Sequence, residues 1–174
     1  IPDHTTRVYA AMIHSLDHNI GRVLQHLKDR GLDDNTLVIF TSDNGGAGYI
    51  GVPDLNKPYR GWKATFFDGG IRVPFFMRWP KALPQGAHYD RPISHLDIFS
   101  TALAAAKAKP PEGKVLDGVN LLPYLQGQRS DAPHRQIFWR TDTYLAMREG
   151  DWKLQVMQRP KQDLLYNLAA DPGE

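Results

Sequence analysis

Between Thr5 and Arg30 the apolar positions are Tyr9, Met12, Ile13, Leu16, Ile20, Val23, Leu24 and Leu27. At about 100° per residue they share one face, which predicts a long amphipathic helix. Gly31 offers a left-handed residue to end it, Leu32 an apolar contact beyond the end, and Asp33-Asp34-Asn35 a polar turn. The period then changes. TLVIFT, Thr36 to Thr41, is a continuous β-branched and aromatic run with no polar alternation, as expected of a strand buried on both faces of a parallel sheet covered by helices. Helix, short turn and buried strand together predict an α/β fold whose ligands gather beyond the C-terminal strand ends. Ser42 to Gly46, SDNGG, stands at such an end.

From Gly45 to Trp62 glycines recur at 46, 48, 51 and 61 and prolines at 53 and 58, so a long irregular loop is expected, a feature usually either functional or disordered. Ile71 to Trp79 is a second apolar run; Pro74 inside it suits a strand near a sheet margin. Ser94 to Lys107 predicts a second helix with Ser94 as its N-cap. Beyond LDGVNLLPYLQG come three short strand-like pieces, IFWR, YLAMR and WKLQVM, the last two joined by a turn at Glu149-Gly150-Asp151. The predicted fold is α/β: part of a mostly parallel sheet flanked by helices over residues 1–130, then a small antiparallel C-terminal subdomain over residues 131–174, expected to be incomplete.

Composition narrows the function classes. The chain has 174 residues, 21 Lys plus Arg against 19 Asp plus Glu, and the basic residues are scattered. Nucleic-acid partners are therefore disfavoured. No apolar run approaches the roughly 18 to 20 residues of a membrane span, and the opening IPDHTTRVYA has no signal-peptide pattern, so no membrane partner is expected. The absent initiator Met, followed at once by a helical pattern, reads as the interior or the end of a longer protein. With no cysteine, disulfides, thiolate zinc sites and Cys nucleophiles are excluded within these residues.

Several suggestive motifs fail on geometry. His14 and His18, spaced to grip zinc on a helix, lie about 160° and about 200° from Leu16, opposite the apolar stripe. Gly46-x-Gly48-x-x-Gly51 imitates a dinucleotide fingerprint, but Pro53 and Pro58 forbid the helix it must open. Ser94, His95 and Asp97 are the residue types of a hydrolase triad, yet neighbours on one helix diverge. Asp43 and Asn44 remain: a carboxylate and an amide oxygen just past a strand, which suit Ca²⁺ or Mg²⁺, although Asp-Asn-Gly is also a plain turn. Lys63 ends the glycine-rich loop, and on its own is a solvated side chain or a site cation.

The order and spacing of five blocks carry more information. YAAMIHSLDHNIGRVLQHLKDRGLDDNTLVIFTSDNGG, KATFFDGGIRVP, ISHLDIFSTALAAA, LDGVNLLPYLQG and GDWKLQ with DLLYNLAADPGE resemble, in this order, blocks of the sulfatase family within the alkaline-phosphatase-like superfamily. The resemblance covers nearly the whole chain. It implies that Asp43 and Asn44 are two ligands of one Ca²⁺ or Mg²⁺ and that Lys63 contacts the sulfate group. Relatives that cleave phosphonate or phosphate esters often carry His at the position of Asn44. Two departures stand out. Asp68 replaces the family's usual Glu, and the signature C/S-x-P-x-R, whose first residue becomes the formylglycine nucleophile, is absent; Ser130-Asp-Ala-Pro133 has one residue too many. The resemblance therefore implies the C-terminal part of a sulfatase, inactive alone, with formylglycine in the missing N-terminal part. Its substrate would be a sulfate-ester small molecule or a sulfated sugar, and its compartment periplasmic, secreted or lysosomal. A phosphodiesterase or phosphonate hydrolase of the same superfamily and a non-catalytic remnant that binds anionic glycans are the alternatives.

Overall fold

In a computed structural model that describes residues 3–174, the first element is helix α1, His4–Asp29. Asp3 caps it, its Oδ2 accepting from the Thr6 N–H at 2.6 Å. At the other end Gly31 takes φ +67°, Gly31 N–H bonds to the Lys28 carbonyl and Leu32 N–H to the Leu27 carbonyl, closing the helix as expected. None of its described side chains is buried.

Strand β1, Val38–Thr41, corrects the expectation of a parallel sheet. It pairs antiparallel with β2, Phe75–Arg78, in register Val38↔Arg78 to Thr41↔Phe75, and that pair is a sheet of its own. No parallel strand is present among the described residues. Burial on both faces also fails, with Phe40 39% and Phe76 64% exposed. The physical reason is that an apolar run encodes a demand for cover but not the direction or identity of the strands that provide it. Pro74 lies just before β2, and the residues in front of it form a helical turn, α2, Asp68–Ile71, so the strand starts later than the apolar run from Ile71 predicts. Arg78 anchors the pair to the turn after α1 through two bonds to Asp33, at 2.8 and 2.6 Å.

Helix α3, Leu96–Ala105, is stitched to the segment C-terminal to it. The N-cap position of α3 is His95, one residue later than expected; Ser94 Oγ accepts from the Leu96 N–H at 3.3 Å while Asp97 Oδ2 accepts from the Ser94 N–H at 2.8 Å. Asp97 Oδ1 also accepts from the Val119 N–H, and Thr101 Oγ1 from the Leu121 N–H at 3.0 Å. These bonds seat α4, Leu122–Leu125, beside α3, with Leu121 and Tyr124 buried. The remainder is an antiparallel meander, β3 (Gln136–Arg140), β4 (Tyr144–Glu149), β5 (Trp152–Gln158) and β6 (Lys161–Asn167), in that spatial order. The β4–β5 turn has Gly150 at φ +57° and pairs Glu149 with Trp152.

Candidate active site

The C-terminal end of β1 opens into the loop that carries Asp43 and Asn44. Ser42 Oγ donates to the Asn44 carbonyl at 2.8 Å, which curls the chain and leaves Asp43 exposed and Asn44 half-buried. A hydrogen bond from Asn44 holds the Asp43 carboxyl below its ordinary value of 3.8, with backbone N–H groups and the charge of Lys63 acting the same way. Asp43 is thus an ionised oxygen donor at neutral pH.

The glycine-rich loop folds back on this turn because one side chain closes it. Asn56 Oδ1 accepts from the Gly46 N–H at 2.8 Å, and its Nδ2 donates to the carbonyls of Gly46 and Gly61 at 3.0 and 3.1 Å. Lys63 N–H then donates to the Gly46 carbonyl at 3.2 Å. The structure therefore brings Asp43, Asn44 and Lys63 to one place, although a long loop separates them in sequence. Asn56 belongs to none of the sequence motifs; a polar amide between two glycine clusters is the one signal that could have found it. The other wall of the turn is α2: Gly45 N–H donates to the Gly70 carbonyl at 2.8 Å, and a Cβ on Gly45 would sit 1.7 Å from the Gly69 carbonyl oxygen. Only glycine fits at position 45. His95, just ahead of α3, reaches the same strand end, its Nε2 lying 3.2 Å from Thr41 Oγ1.

The donor set tests the expected cation. A carboxylate and a carboxamide oxygen suit Ca²⁺ or Mg²⁺, which accept six or more oxygens. Among the described residues no group of three or more His, Cys, Asp or Glu could hold a metal, and Asp43 and Asn44 supply two oxygen donors of the kind such a cation accepts. His14 and His18 gather no third donor. Ser94, His95 and Asp97 form no relay: Asp97 pairs with His134 Nε2 at 2.8 Å, and His95 Nε2 lies against Thr41 Oγ1. No described helix is long and apolar enough to cross a membrane.

Two family profiles match the sequence: one described as Sulfatase over residues 2–108, the other as N-sulphoglucosamine sulphohydrolase, C-terminal, over residues 60–174. A sulfatase of Escherichia coli, YdeN, itself uncharacterized, is 42% identical over 133 residues, 76% of this chain and 23% of that protein. Human N-acetylgalactosamine-6-sulfatase is 39% identical over 83% of this chain and 28% of its own length. Among solved structures, a Bacteroides thetaiotaomicron protein tied to the metabolism of multiple glycosaminoglycans superposes with a TM-score of 0.76 at 29% identity, covering 91% of this chain and 38% of that one. Another, solved in complex with its substrate D-glucosamine-2-N,6-O-disulfate, gives 0.74 at 25% identity over 94% and 34%. The chain thus spans less than a third of the length of these curated relatives.

Proposed function

The chain belongs to the sulfatase family, and from that premise we propose that it is the C-terminal part of an enzyme that hydrolyses the sulfate ester of a sugar. One observation carries the proposal: Asp43, Asn44 and Lys63 converge at the end of β1, although sequence adjacency requires nothing of the kind for Lys63. The sugar is favoured over an aryl substrate by the profile over residues 60–174 and by the sulfated-glucosamine complex of a structural relative.

The reaction is R–O–SO₃⁻ plus water giving R–OH, sulfate dianion and a proton. Asp43 would supply the negative ligand and Asn44 a neutral one, and a hydrogen bond from Asn44 lowers the Asp43 carboxyl further below 3.8. A bound Ca²⁺ or Mg²⁺ would orient the nucleophile and offset charge on the sulfuryl oxygens. Lys63 would offer a compact ammonium to the anionic ester, where charge builds on the sulfuryl and leaving oxygens. A monoanionic sulfate matches one cation plus Lys63, and Asn44 stands where phosphonate-cleaving relatives often carry His. The nucleophile, a formylglycine, belongs to the part of the enzyme outside this chain.

The test is turnover by the full-length enzyme of a 6-O-sulfated hexosamine, an aryl sulfate and a phosphonate monoester, each with and without EDTA. Metal-dependent release of sulfate from the sugar is expected to dominate. Preference for the phosphonate replaces the proposal with its superfamily alternative, and binding of the sulfated sugar without turnover of any substrate makes the protein a glycan-binding remnant.

A further inference from the structure

The side of the four-stranded sheet that faces the rest of the chain carries charge where apolar residues are usual. Lys153 of β5 is 0% exposed, and its Nζ lies 2.7 Å from Asp68 Oδ1 and 2.7 Å from Glu174 Oε1. Gln155, also 0% exposed, donates from Nε2 to Glu174 Oε1 at 3.0 Å and accepts at Oε1 from the Tyr144 hydroxyl. The second oxygen of Glu174 accepts from the Asp68 backbone N–H. Arg72, 3.6 Å from Asp68 Oδ2, brings the cluster to two carboxylates and two cations.

Such a cluster is a poor way merely to attach a sheet. Desolvation of buried ions roughly cancels their attraction, and apolar side chains of similar volume often serve as well. What charge-assisted hydrogen bonds add is direction, and hence a fixed position for the groups they hold. Here the group held is Asp68, the first residue of α2, and the two glycines after it have no slack. A Cβ on Gly69 would come within 2.5 Å of the Arg60 and Gly61 carbonyl oxygens, and one on Gly70 within 2.2 Å of the Thr65 carbonyl and 2.6 Å of the Trp62 carbonyl. Gly70 also accepts from Gly45. Helix α2 is therefore wedged, backbone against backbone, between the turn of Asp43 and Asn44 and the loop of Lys63. The atoms nearest to these two glycines are backbone carbonyls, which leave little room for a displacement of Asp68.

We infer that Lys153, together with Glu174, is a positioning residue of the candidate active site. The buried Asp68–Lys153–Glu174 triad sets α2, and α2 sets the spacing between the Asp43–Asn44 pair and Lys63. The inference rests on the reading of those three residues as metal ligands and sulfate-facing cation. It gives the C-terminal sheet a task in the reaction that needs no contact with substrate.

The experiment uses the full-length enzyme and compares wild type, Asp43→Ala, Lys153→Met and Lys153→Arg, each confirmed as folded by circular dichroism. Ca²⁺ affinity is measured by calorimetry, and amide exchange of the peptide over residues 42–48 is followed without metal. Lys153→Met should weaken Ca²⁺ binding about 10- to 100-fold, the usual effect of losing an outer partner of a metal site. It should speed exchange at Gly45 relative to β1, lower kcat while leaving KM nearly unchanged, and be partly rescued by Lys153→Arg. A folded Lys153→Met with wild-type Ca²⁺ affinity and wild-type exchange at Gly45 overturns the inference. Full Ca²⁺ binding by Asp43→Ala instead overturns the metal reading beneath it, which separates the two failures. Should Lys153→Met not fold, Glu174→Gln, which keeps the shape and removes one charge, takes its place in both measurements: weakened Ca²⁺ binding with faster exchange at Gly45 supports the inference, and wild-type values of both overturn it.

Discussion

Helix α1 and strand β5 both divide into an apolar and a polar side, and both turn apolar residues to solvent. In α1, Met12 is 63% and Leu16 49% exposed. In β5, Trp152 is 53% exposed while Lys153 and Gln155 are fully buried, because partners of the right charge stand opposite them. The two cases differ in what they leave unsatisfied. The inward polar side of β5 is paired within the chain, whereas in the apolar stripe of α1 Met12, Ile13, Leu16 and Val23 stay exposed. An amphipathic pattern identifies two faces; the neighbour decides which becomes the interior.

That contrast can be tested at several scales. The largest effect is expected from separation itself. Expressed alone, residues 1–174 should release no sulfate from any sulfate ester, since the C/S-x-P-x-R signature is absent and α1 exposes Met12, Ile13, Leu16 and Val23. Metal-dependent turnover by this chain alone would contradict the comparison. Next comes Lys63→Ala in the full-length enzyme, expected to lower kcat by roughly 10²- to 10³-fold, the scale for deleting one electrostatic stabiliser. Lys57, exposed and paired with Asp54 at 2.9 Å, is the control and should tolerate Ala. Equal, small effects at both lysines would return Lys63 to a solvated loop residue.

A smaller effect separates the two faces directly. Leu16→Ser should destabilise the full-length enzyme by about 1.5–3 kcal/mol if the stripe is covered there, and should leave the melting temperature of the isolated chain unchanged while raising its solubility. Equal destabilisation of both would show that α1 is covered within this chain. The smallest effect concerns acid. A hydrogen bond from Arg78 lowers the Asp33 carboxyl below 3.8, so the pair contributes stability above that value and loses it as pH falls through the lowered one. Asp33→Asn should lower the melting temperature slightly at pH 7 and not at all near pH 2, as read by thermal scans across that range.

Much of the local structure is legible in the sequence. The stripe from Tyr9 to Leu27 with Gly31 beyond it specifies α1 and its end, and Gly150 between two alternating segments specifies the β4–β5 hairpin, because both are set by neighbours in the chain. The illegible part depends on distant partners. The run at Thr36–Thr41 says that a strand forms, not that Phe75–Arg78 will pair with it antiparallel. Helix α2 contains Gly69 and Gly70, poor helix formers that belong there only because Gly45 and the Arg60, Gly61, Trp62 and Thr65 carbonyls leave no room for a Cβ. Alternation in WKLQVM points Leu154 inward; Asp68 and Glu174 reverse it. For the candidate site, the residue types at 43, 44 and 63 are readable, but not the closure by Asn56 that joins their loops.

Asp43 and Asn44 are proposed to hold a divalent cation beside Lys63, and metal stoichiometry decides it. Full-length wild type and Asp43→Ala would be purified in parallel, exchanged into metal-free buffer, reloaded with Ca²⁺ and assayed by elemental analysis alongside thermal melts. One tightly held cation per wild-type chain is expected, and none in a mutant of nearly unchanged melting temperature, since an exposed strand-end residue holds no core together. Full occupancy in the mutant would mean that Asp43-Asn44-Gly45 is only a turn.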